Sequence, residues 1–551
     1  MILHHRSNRF TDLQVFLVLG AVWLFHVIGN AIWLSLDQFP PSWDTAHHLT
    51  MSLGWHEFLK SPGLDVLKPL AAESSYPPLS YIIVTPFYEL FGKTADVAVF
   101  FSGSLWLSIL LFATYMLGRE VFNPKTGLYA AIITSLYPLV VAMQRDFFLD
   151  LQLTALVTLA IWLLIYNRNF DDMGRAIALG IAVGIGTMTK WPFAFFLFAP
   201  FIASLYRIGR QVGWERKRLI NLGVCLLLGG SLAAVQYLYN YLFLPKDLYN
   251  LGNIIGLVTG FSQAAGHPAW NSRTGLLYYG VSLVNHQVSF FFVILFIASF
   301  PALFRENVRG RCVLILSILV PYILATLLPV KEQRITTPYL PVIAVISAVG
   351  LAHIRGKILR VLAIIVVLFV GLLLWWSNSW GIAILPSRLV QQTPWAEIVF
   401  FDQHYVRSPR DYSVQPEDWK QLELMEYISA DAALQGISLP ADVPLVANTP
   451  AYNPNTLNYF SILYKKQLRF LYTWSWIGEP LSLEKHPYAY LVWKRGKNIE
   501  IAGWDKEHIE NAEVYILDHP DTFTLIYQAP LPDGTEILVY RREAVTESGA
   551  P

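Results

Sequence analysis

The chain has 551 residues, of which 54% are hydrophobic and 14% are charged. A soluble domain usually carries about 25% charged residues, so this composition excludes an ordinary soluble protein. The net charge is +1, which provides no field for attracting a nucleic acid or another strongly charged partner. The two cysteines, Cys225 and Cys312, are too few for a disulfide framework or a zinc motif, and both are predicted to be buried thiols.

Between positions 11 and 380, charged residues are confined to short clusters that separate long apolar stretches. A helix needs about 20 apolar residues to cross a bilayer, with a range of about 17–25. Eleven stretches are predicted to cross, at 13–36, 95–118, 126–144, 150–166, 174–188, 191–206, 219–244, 286–303, 312–328, 335–352 and 358–380. The first stretch is too long for a signal peptide and is interpreted as an uncleaved span.

A twelfth candidate, residues 77–92, is shorter and contains Pro86 and Glu89. If this segment lies flat on the outer surface, the predicted cytoplasmic loops hold 17 Lys or Arg in 57 residues, and the opposite loops hold 9 in 113. That asymmetry agrees with the positive-inside rule, whereas a twelfth crossing would reverse it. The sequence therefore predicts a multi-pass cell-membrane protein with a long first outer loop that contains interfacial helices.

Beyond Trp380 the density of charged residues becomes ordinary, which predicts a second domain outside the membrane. The chain is divided into a transmembrane domain at 1–384 and an extracytoplasmic domain at 385–551. In the second domain a helix-like stretch at 419–435 alternates with strand-like stretches at 443–447, 488–494, 514–517, 524–528 and 537–540. This alternation predicts an α/β or α+β fold.

Ionisable residues gather at span ends on the predicted outer side. They are Asp44, His47 and His48 after the first span, Arg145, Asp146 and Asp150 after the third, Lys190 at a hairpin tip, and Lys331, Glu332 and Arg334 before the tenth. Carboxylates with cations nearby suit a negatively charged, lipid-borne substrate, because cations hold a phosphate and a carboxylate accepts a proton. Each residue alone could be a helix cap, a local salt bridge or an interfacial anchor. Their shared side favours a functional site.

Five short motifs occur in the order that is typical of one family. They are Asp44-Thr45-Ala46-His47-His48, Tyr76-Pro77-Pro78-Leu79-Ser80-Tyr81, Phe148-Leu149-Asp150-Leu151, Thr189-Lys190-Trp191-Pro192 and Arg334-Ile335-Thr336-Thr337-Pro338-Tyr339-Leu340-Pro341. Through these motifs, residues 10–355 resemble the GT-C glycosyltransferases, in particular the branch of the protein O-mannosyltransferases and the aminoarabinose transferase of lipid A. The sequence departs from that family at Thr45, where Glu is usual, and at Trp191, where Gly is usual.

The resemblance implies an inverting transfer of a sugar from a polyprenyl-phosphate donor to an unidentified lipid, protein or glycan acceptor, beside membrane lipids. In the implied roles, Asp44 is the general base, Asp150 orients the acceptor, and Lys190 and Arg334 bind the donor phosphate. The implied substrate-lining residues are His47, His48, Tyr76, Tyr81 and Tyr339. A divalent cation held by Asp44, Asp150 and His48 is a further expectation.

Two other classes of function are left open. A transporter or flippase of a lipid-linked sugar would place charges in the middle of spans and use repeated, broken helices. A non-catalytic scaffold would bind partners through its external domain and would tolerate the loss of Asp44.

Overall fold

The structure is a computed structural model. It describes residues 12–65, 67, 70, 76–243, 251–304, 310–403, 414–473, 483, 486, 488–500 and 504–543. The predicted cytoplasmic N-terminus at 1–11, most of the predicted cytoplasmic loop at 304–311 and the last eight residues of the predicted external domain lie outside the described residues.

In its described ranges, the first part of the chain consists of helices and their connections, without a strand. Its helices are α1 (Asp12–Leu36), α2 (Trp43–Lys60), α3 (Leu79–Ile82), α4 (Thr85–Phe91), α5 (Ala95–Val121), α6 (Pro124–Ser135), α7 (Pro138–Met143), α8 (Asp150–Tyr166), α9 (Met173–Thr187), α10 (Phe193–Arg207), α11 (Arg216–Phe243), α12 (Leu251–Ala264), α13 (Arg273–Ser282), α14 (Phe290–Ser299), α15 (Arg311–Leu327), α16 (Leu340–Ala352) and α17 (Lys357–Trp380). A 3₁₀ turn, Gln333–Tyr339, leads into α16.

All eleven predicted stretches are found as helices, but they differ in length. Among the described residues, six helices are long and apolar enough to cross a bilayer, and the count is seven if one bent helix pair forms a single span. The molecule is therefore a polytopic helical membrane protein with six or seven apolar spans by length and composition. Shorter helices such as α8 and α9, with 17 and 15 residues, occupy other predicted spans, so the total of eleven stays a prediction.

Two predicted spans are interrupted. Residues 126–144 form α6 and α7, which are separated just before Pro138. The break is expected there, because proline disfavours a helical conformation of the preceding residue. Residues 286–303 belong to a helix pair bent by 118° at a break near Ser289, whose φ is +86°. The outer segment at 77–92 forms α3 and α4, of four and seven residues, which are too short to span about 30 Å.

Helix starts in the bundle follow local sequence signals. Asn123 caps α6 by accepting a hydrogen bond from the Thr126 N–H, and Pro124 occupies the first turn, where no backbone N–H is needed. The largest core of the molecule runs through α5 to α9 and α16. Cys225 is buried as predicted, whereas Cys312, the second residue of α15, is exposed.

The described residues of the second part of the chain form two sheets. Its elements are β1 (Arg388–Gln392), β2 (Glu397–Asp402), α18 (Gln421–Gln435), β3 (Ala441–Val446), α19 (Pro454–Leu463), β4 (Leu468–Tyr472), β5 (Tyr490–Arg495), α20 (Trp504–Asp518), β6 (Phe523–Pro530) and β7 (Glu536–Arg542). Strands β1 and β2 form an antiparallel hairpin, and the other five form a mixed sheet in the order β4-β3-β5-β7-β6. The prediction of a mixed α and β fold is confirmed.

The five-stranded sheet separates two apolar cores. Helices α18 and α19 contribute to the core on one face, where Leu445 of β3 and Val492 of β5 are paired in register. Helix α20 covers the other face with Ile509, Ala512 and Ile516. The predicted strand at 514–517 is wrong, because these residues form the last turn of α20. A short apolar run has no period that separates a strand from the end of a helix.

Candidate active site

Four charged side chains from four separate elements meet at the ends of helices. Asp44 is the second residue of α2, and Asp150 is the first residue of α8. Lys190 lies between α9 and α10, and Arg334 lies in the 3₁₀ turn before α16. We call Asp44, Asp150, Lys190 and Arg334 the four-charge cluster.

Opposite charges alternate through the four-charge cluster. Arg334 Nη2 lies 2.6 Å from Asp44 Oδ2, and Lys190 Nζ lies 2.8 Å from Asp150 Oδ1. Arg334 Nη1 lies 4.0 Å from Asp150 Oδ2 and joins the two pairs. That carboxylate oxygen is buried and accepts no hydrogen bond from the described residues. The sequence-predicted residues for catalysis and phosphate binding are therefore brought together in a single site.

The two carboxylates differ in depth. The Asp150 side chain is 2% exposed, whereas the Asp44 side chain is 49% exposed. The cations lie between these extremes, with Lys190 13% and Arg334 21% exposed. The cluster thus has a buried end at Asp150 and an accessible end at Asp44, where a substrate can reach it.

The charges of the cluster stabilise one another. Burial raises the pKa of Asp44, but the Arg334 guanidinium, with smaller contributions from His48 and Lys190, lowers that pKa overall to about 2. Burial lowers the pKa of Lys190, and the neighbouring Asp150 carboxylate more than offsets this, so the pKa is raised. Asp44 is therefore a carboxylate and Lys190 a cation at any physiological pH.

Four of the five predicted substrate-lining residues form one wall of the cluster. The Tyr76 ring centroid lies 5.8 Å from Lys190 Nζ and 5.2 Å from the ring of His48. His48 Nδ1 is 3.0 Å from the Tyr81 hydroxyl, which is fully buried. The ring of His47 packs 5.9 Å from that of His48. Burial lowers the pKa of both histidines and thereby favours their neutral form near neutral pH.

Two other residues that the sequence analysis singled out have structural contacts. Tyr339 is buried and donates a hydrogen bond to Gln287 Oε1 at 3.3 Å, which fastens the 3₁₀ turn to the π-helical segment Leu283–Gln287 that follows α13. Its predicted place on the substrate wall stays a prediction. Lys331 Nζ donates to the carbonyls of Thr326 and Leu328, and it thereby caps α15.

The sequence analysis gave several neighbours of the cluster no specific role. Glu332 Oε2 is 2.5 Å from Arg334 Nε, and the Arg334 guanidinium lies 4.4 Å from the centroid of the Phe148 ring. Thr45 donates a 2.5 Å hydrogen bond to Asp146 Oδ1, so a buried carboxylate lies beside the position where the family usually has Glu. The charge run at 331–334 was a usable signal for Glu332, whereas no local pattern links Thr45 to Asp146.

The residues do not fit the expected metal site. Among the described residues, no group of three or more His, Cys, Asp or Glu side chains is arranged to hold an ion. Asp44 and Asp150 are each already paired with a cationic side chain, and a dication would have to displace Arg334 or Lys190. The expected cation at Asp44, Asp150 and His48 therefore has no support in the structure.

With this geometry established, the chain can be compared with known proteins. Residues 75–235 match the model of the family described as dolichyl-phosphate-mannose-protein mannosyltransferase. No curated protein matches the sequence significantly.

Solved structures match over nearly the whole chain. ArnT from Cupriavidus metallidurans bound to undecaprenyl phosphate matches with a TM-score of 0.57 and 12% identity, over 98% of this chain and 100% of that chain. The apo oligosaccharyltransferase of Archaeoglobus fulgidus gives a TM-score of 0.53 and 12% identity, over 98% of this chain and 76% of that chain. AglB from the same archaeon, in complex with an inhibitory peptide and a dolichol-phosphate, matches with a TM-score of 0.51 and 12% identity. This match covers 97% of this chain and 75% of that chain.

The fold class is thereby defined as that of the GT-C glycosyltransferases, and the resemblance seen in the sequence is confirmed. Within that class, residues 75–235, which include Asp150 and Lys190, match the mannosyltransferase family named above.

Proposed function

We propose that the protein is an inverting glycosyltransferase that moves a sugar from a polyprenyl-phosphate donor to an acceptor at the outer face of the membrane. The observation that carries this proposal is the four-charge cluster, in which two carboxylates and two cations share one partly open site. The fold class and the family match support a lipid-phosphate-linked sugar as the donor. The sugar and the acceptor are not specified by these observations.

In the proposed reaction, a lone pair of the acceptor hydroxyl or amine attacks the anomeric carbon. The bond from that carbon to the phosphate oxygen breaks, and the polyprenyl phosphate leaves with the bonding electrons. Asp44 takes the proton from the acceptor, and the single displacement inverts the anomeric centre. Lys190 and Arg334 stabilise the negative charge that develops on the leaving phosphate.

The position of Arg334 suggests how Asp44 becomes a stronger base when donor is present. In the resting site, Arg334 is 2.6 Å from Asp44 and holds the pKa of that carboxyl at about 2, which is too low for an efficient base near neutral pH. A donor phosphate at Arg334 would compete for the same guanidinium. The pKa of Asp44 would then rise towards a useful value only in the donor complex.

Asp150 is assigned to the acceptor. Its Oδ1 is held by Lys190, whereas its buried Oδ2 accepts no hydrogen bond from the described residues. A buried carboxylate oxygen normally has a partner, so an acceptor hydroxyl or amine is a suitable one.

For the membrane arrangement, we retain eleven spans with the four-charge cluster and the C-terminal domain outside. The support is the asymmetry of Lys and Arg between the two sets of loops, together with α3 and α4, which are too short to cross.

Transfer is tested in membranes supplied with labelled polyprenyl-phosphate sugars and an acceptor extract. Asp44→Asn should lower the rate by about 10²-fold or more, since a general base contributes about 10²–10⁴-fold. Asp150→Asn should also lower the rate, because it alters the carboxylate that is paired with Lys190 and assigned to the acceptor. Asp171→Asn is the matched control, because Asp171 also pairs with an arginine, Arg218, at 2.7 Å, but on a loop predicted to face the opposite side. Wild-type rates in both cluster variants, at equal expression, would refute the proposal.

A transporter or flippase is the second candidate, and the helix pair bent by 118° is the observation that favours it. Broken helices are typical of transporter substrate sites. Reconstituted vesicles separate the two functions: a flippase moves a labelled lipid-linked sugar across the bilayer without forming a new glycosidic bond, whereas a transferase forms product.

A further inference from the structure

The C-terminal domain holds the segment that connects α1 to α2. The Gln38 N–H donates to the Gln415 carbonyl at 2.7 Å, and the Gln415 N–H donates to Asp37 Oδ1 at 3.0 Å. Further along, Thr456 Oγ1 donates to the Pro41 carbonyl at 2.8 Å. Three hydrogen bonds thus tie residues 37–41 to the other domain immediately before α2 begins.

Apolar side chains reinforce this attachment in both directions. Phe39 is 8% exposed and belongs to the core of the C-terminal domain, where its ring centroid is 5.2 Å from that of Trp419. Conversely, Tyr459 of α19 is 1% exposed and belongs to the core around α2, with Trp55. The two domains therefore share buried surface directly beside Asp44.

Trp43, the residue before Asp44, has a backbone conformation that is unusual for its type. It is the first residue of α2 and its φ is +34°, a region that residues with a side chain rarely adopt. Such strain persists only where the surroundings hold it. Two asparagines of the C-terminal domain do so: Trp43 Nε1 donates to Asn448 Oδ1 at 2.7 Å, and Asn455 Nδ2 donates to the Trp43 carbonyl at 3.3 Å.

Asn448 is itself firmly fixed. Its Nδ2 donates to Asp505 Oδ2 at 2.7 Å, and Asp505 is 4% exposed. Its backbone N–H donates to the Asn498 carbonyl at 2.7 Å, and its carbonyl accepts from the Glu500 N–H at 3.1 Å. The side-chain oxygen that faces Trp43 therefore has little freedom to move.

We propose that Asn448 is a positioning residue, through which the C-terminal domain sets the orientation of Asp44 by holding Trp43 in its strained conformation. This inference rests on the proposed function of Asp44 as the base. It assigns the C-terminal domain a role in the transfer step that is separate from donor binding.

The physical reason lies in the geometry of the first turn of α2. Without the Asn448 contact, Trp43 relaxes to a negative φ, and the turn that carries Asp44 rotates away from Arg334. A misplacement of about 1 Å at a reacting group can cost about 10²-fold in rate. Lys190 and Arg334 are carried by other elements, and Arg334 loses a competitor for the donor phosphate when Asp44 moves away, so donor binding is not weakened. The expected signature is a lower kcat without a rise in the KM for the donor.

The test uses the full-length protein in membranes and two matched variants. Asn448→Leu keeps the size of the side chain but removes its hydrogen bonds to Trp43 and Asp505. It should lower kcat by about 10- to 100-fold without a rise in the donor KM. Asn458→Leu is the control. Asn458 also makes two hydrogen bonds within the same domain, to the N–H and carbonyl of Phe470, but it does not contact α2 through them. It should retain the wild-type kcat.

A double variant then separates positioning from general damage. Trp43→Phe removes the indole N–H, so it breaks the same hydrogen bond as Asn448→Leu. The kcat of the double variant should therefore be no lower than that of the slower single variant. Multiplied losses, or equal losses in Asn448→Leu and Asn458→Leu, would overturn the positioning role. Wild-type kcat in Asn448→Leu, while Asp44→Asn is inactive, would overturn this inference alone. Full activity of Asp44→Asn would overturn both this inference and the proposed function.

Discussion

Asp44 and Asp150 carry the same chemical group but lie in different surroundings within one cluster. Asp150 is buried and tied to Lys190, whereas Asp44 is half exposed and tied to Arg334. Arg334 contacts both carboxylates and also Glu332, which a planar guanidinium with several donors can do and a lysine ammonium cannot. Arg334 is thus the residue that couples the accessible end of the cluster to its buried end.

Replacing Arg334 by Lys should therefore impair the site although the charge is kept. We expect kcat/KM for the donor to fall by about 10²-fold, because one ammonium cannot reproduce the bridging contacts. The pH profile should change as well. Arg334 depresses the pKa of Asp44 to about 2, so weakening this pair lets the pKa rise towards the ordinary value of about 3.9.

The direction in which the pH profile shifts follows from the role of Asp44 as a base. A base must be deprotonated, so activity is lost as pH falls through its pKa. The acid limb of kcat/KM should accordingly move to higher pH in Arg334→Lys, and the wild type should stay active at lower pH. Arg175→Lys serves as the control, because Arg175 stacks 4.1 Å from the Tyr166 ring, outside the cluster. An acid limb that is identical in wild type and Arg334→Lys would contradict the pairing.

At the scale of elements, the helices of the largest core approach one another closely through their backbones. Helix α5 packs against α6 where Gly118 faces Gly127, and against α7 where Gly103 faces the Gln144 carbonyl. A methyl group on Gly127 would lie 2.3 Å from the Tyr115 carbonyl oxygen and 2.9 Å from the Arg119 nitrogen. Both neighbours are backbone atoms, so the helices themselves would have to move.

Gly127→Ala should for this reason destabilise the protein, despite the better helix propensity of alanine. The overpacking is expected to cost about 1–3 kcal/mol. Gly20→Ala in α1 and Gly230→Ala in α11 are matched controls, because a methyl group there has no atom within 4 Å. They should be neutral or stabilising by up to about 1 kcal/mol. The measurement is the apparent Tm in detergent, and an unchanged Tm for Gly127→Ala would contradict the close packing.

At the scale of the whole molecule, the C-terminal mixed-sheet domain packs against the helical membrane part beside the four-charge cluster. Tyr472, at the end of β4, illustrates this proximity. Burial raises the pKa of its hydroxyl, and the charges of Asp44 and Asp505 add to the effect. Since the C-terminal domain adjoins the four-charge cluster, both must lie on the same side of the membrane.

Cysteine labelling tests that side. On a Cys312→Ser background, Asp518→Cys should react with a membrane-impermeant thiol reagent in intact cells, because Asp518 is exposed in the domain predicted to lie outside. Lys357→Cys, exposed at the start of α17 and predicted to be cytoplasmic, should react only after permeabilisation. Protection of the first and labelling of the second in intact cells would invert the topology.

Several features followed from the sequence alone. Residence in a membrane follows from the composition, because 54% hydrophobic residues with only 14% charged residues suit a lipid environment. The helical stretches follow from their length and continuous apolarity. The four charges of the cluster were identifiable because isolated ionisable residues beside apolar sequence are costly, and because their order matches a known family. Elements without such a signal were missed or misread, including α2, α19 and the last turn of α20.

Only the tertiary structure decided which charges pair and what holds them. Asp44 pairs with Arg334 across 290 positions, and Trp43 binds Asn448 across 405 positions. No periodicity or local motif encodes contacts over such separations, because they depend on how helices and domains pack. The same packing turned Tyr339 towards Gln287 and brought Asp146 beside Thr45. The sequence thus determined the membrane setting and the candidate chemistry, while the packing of distant segments determined the geometry of the site.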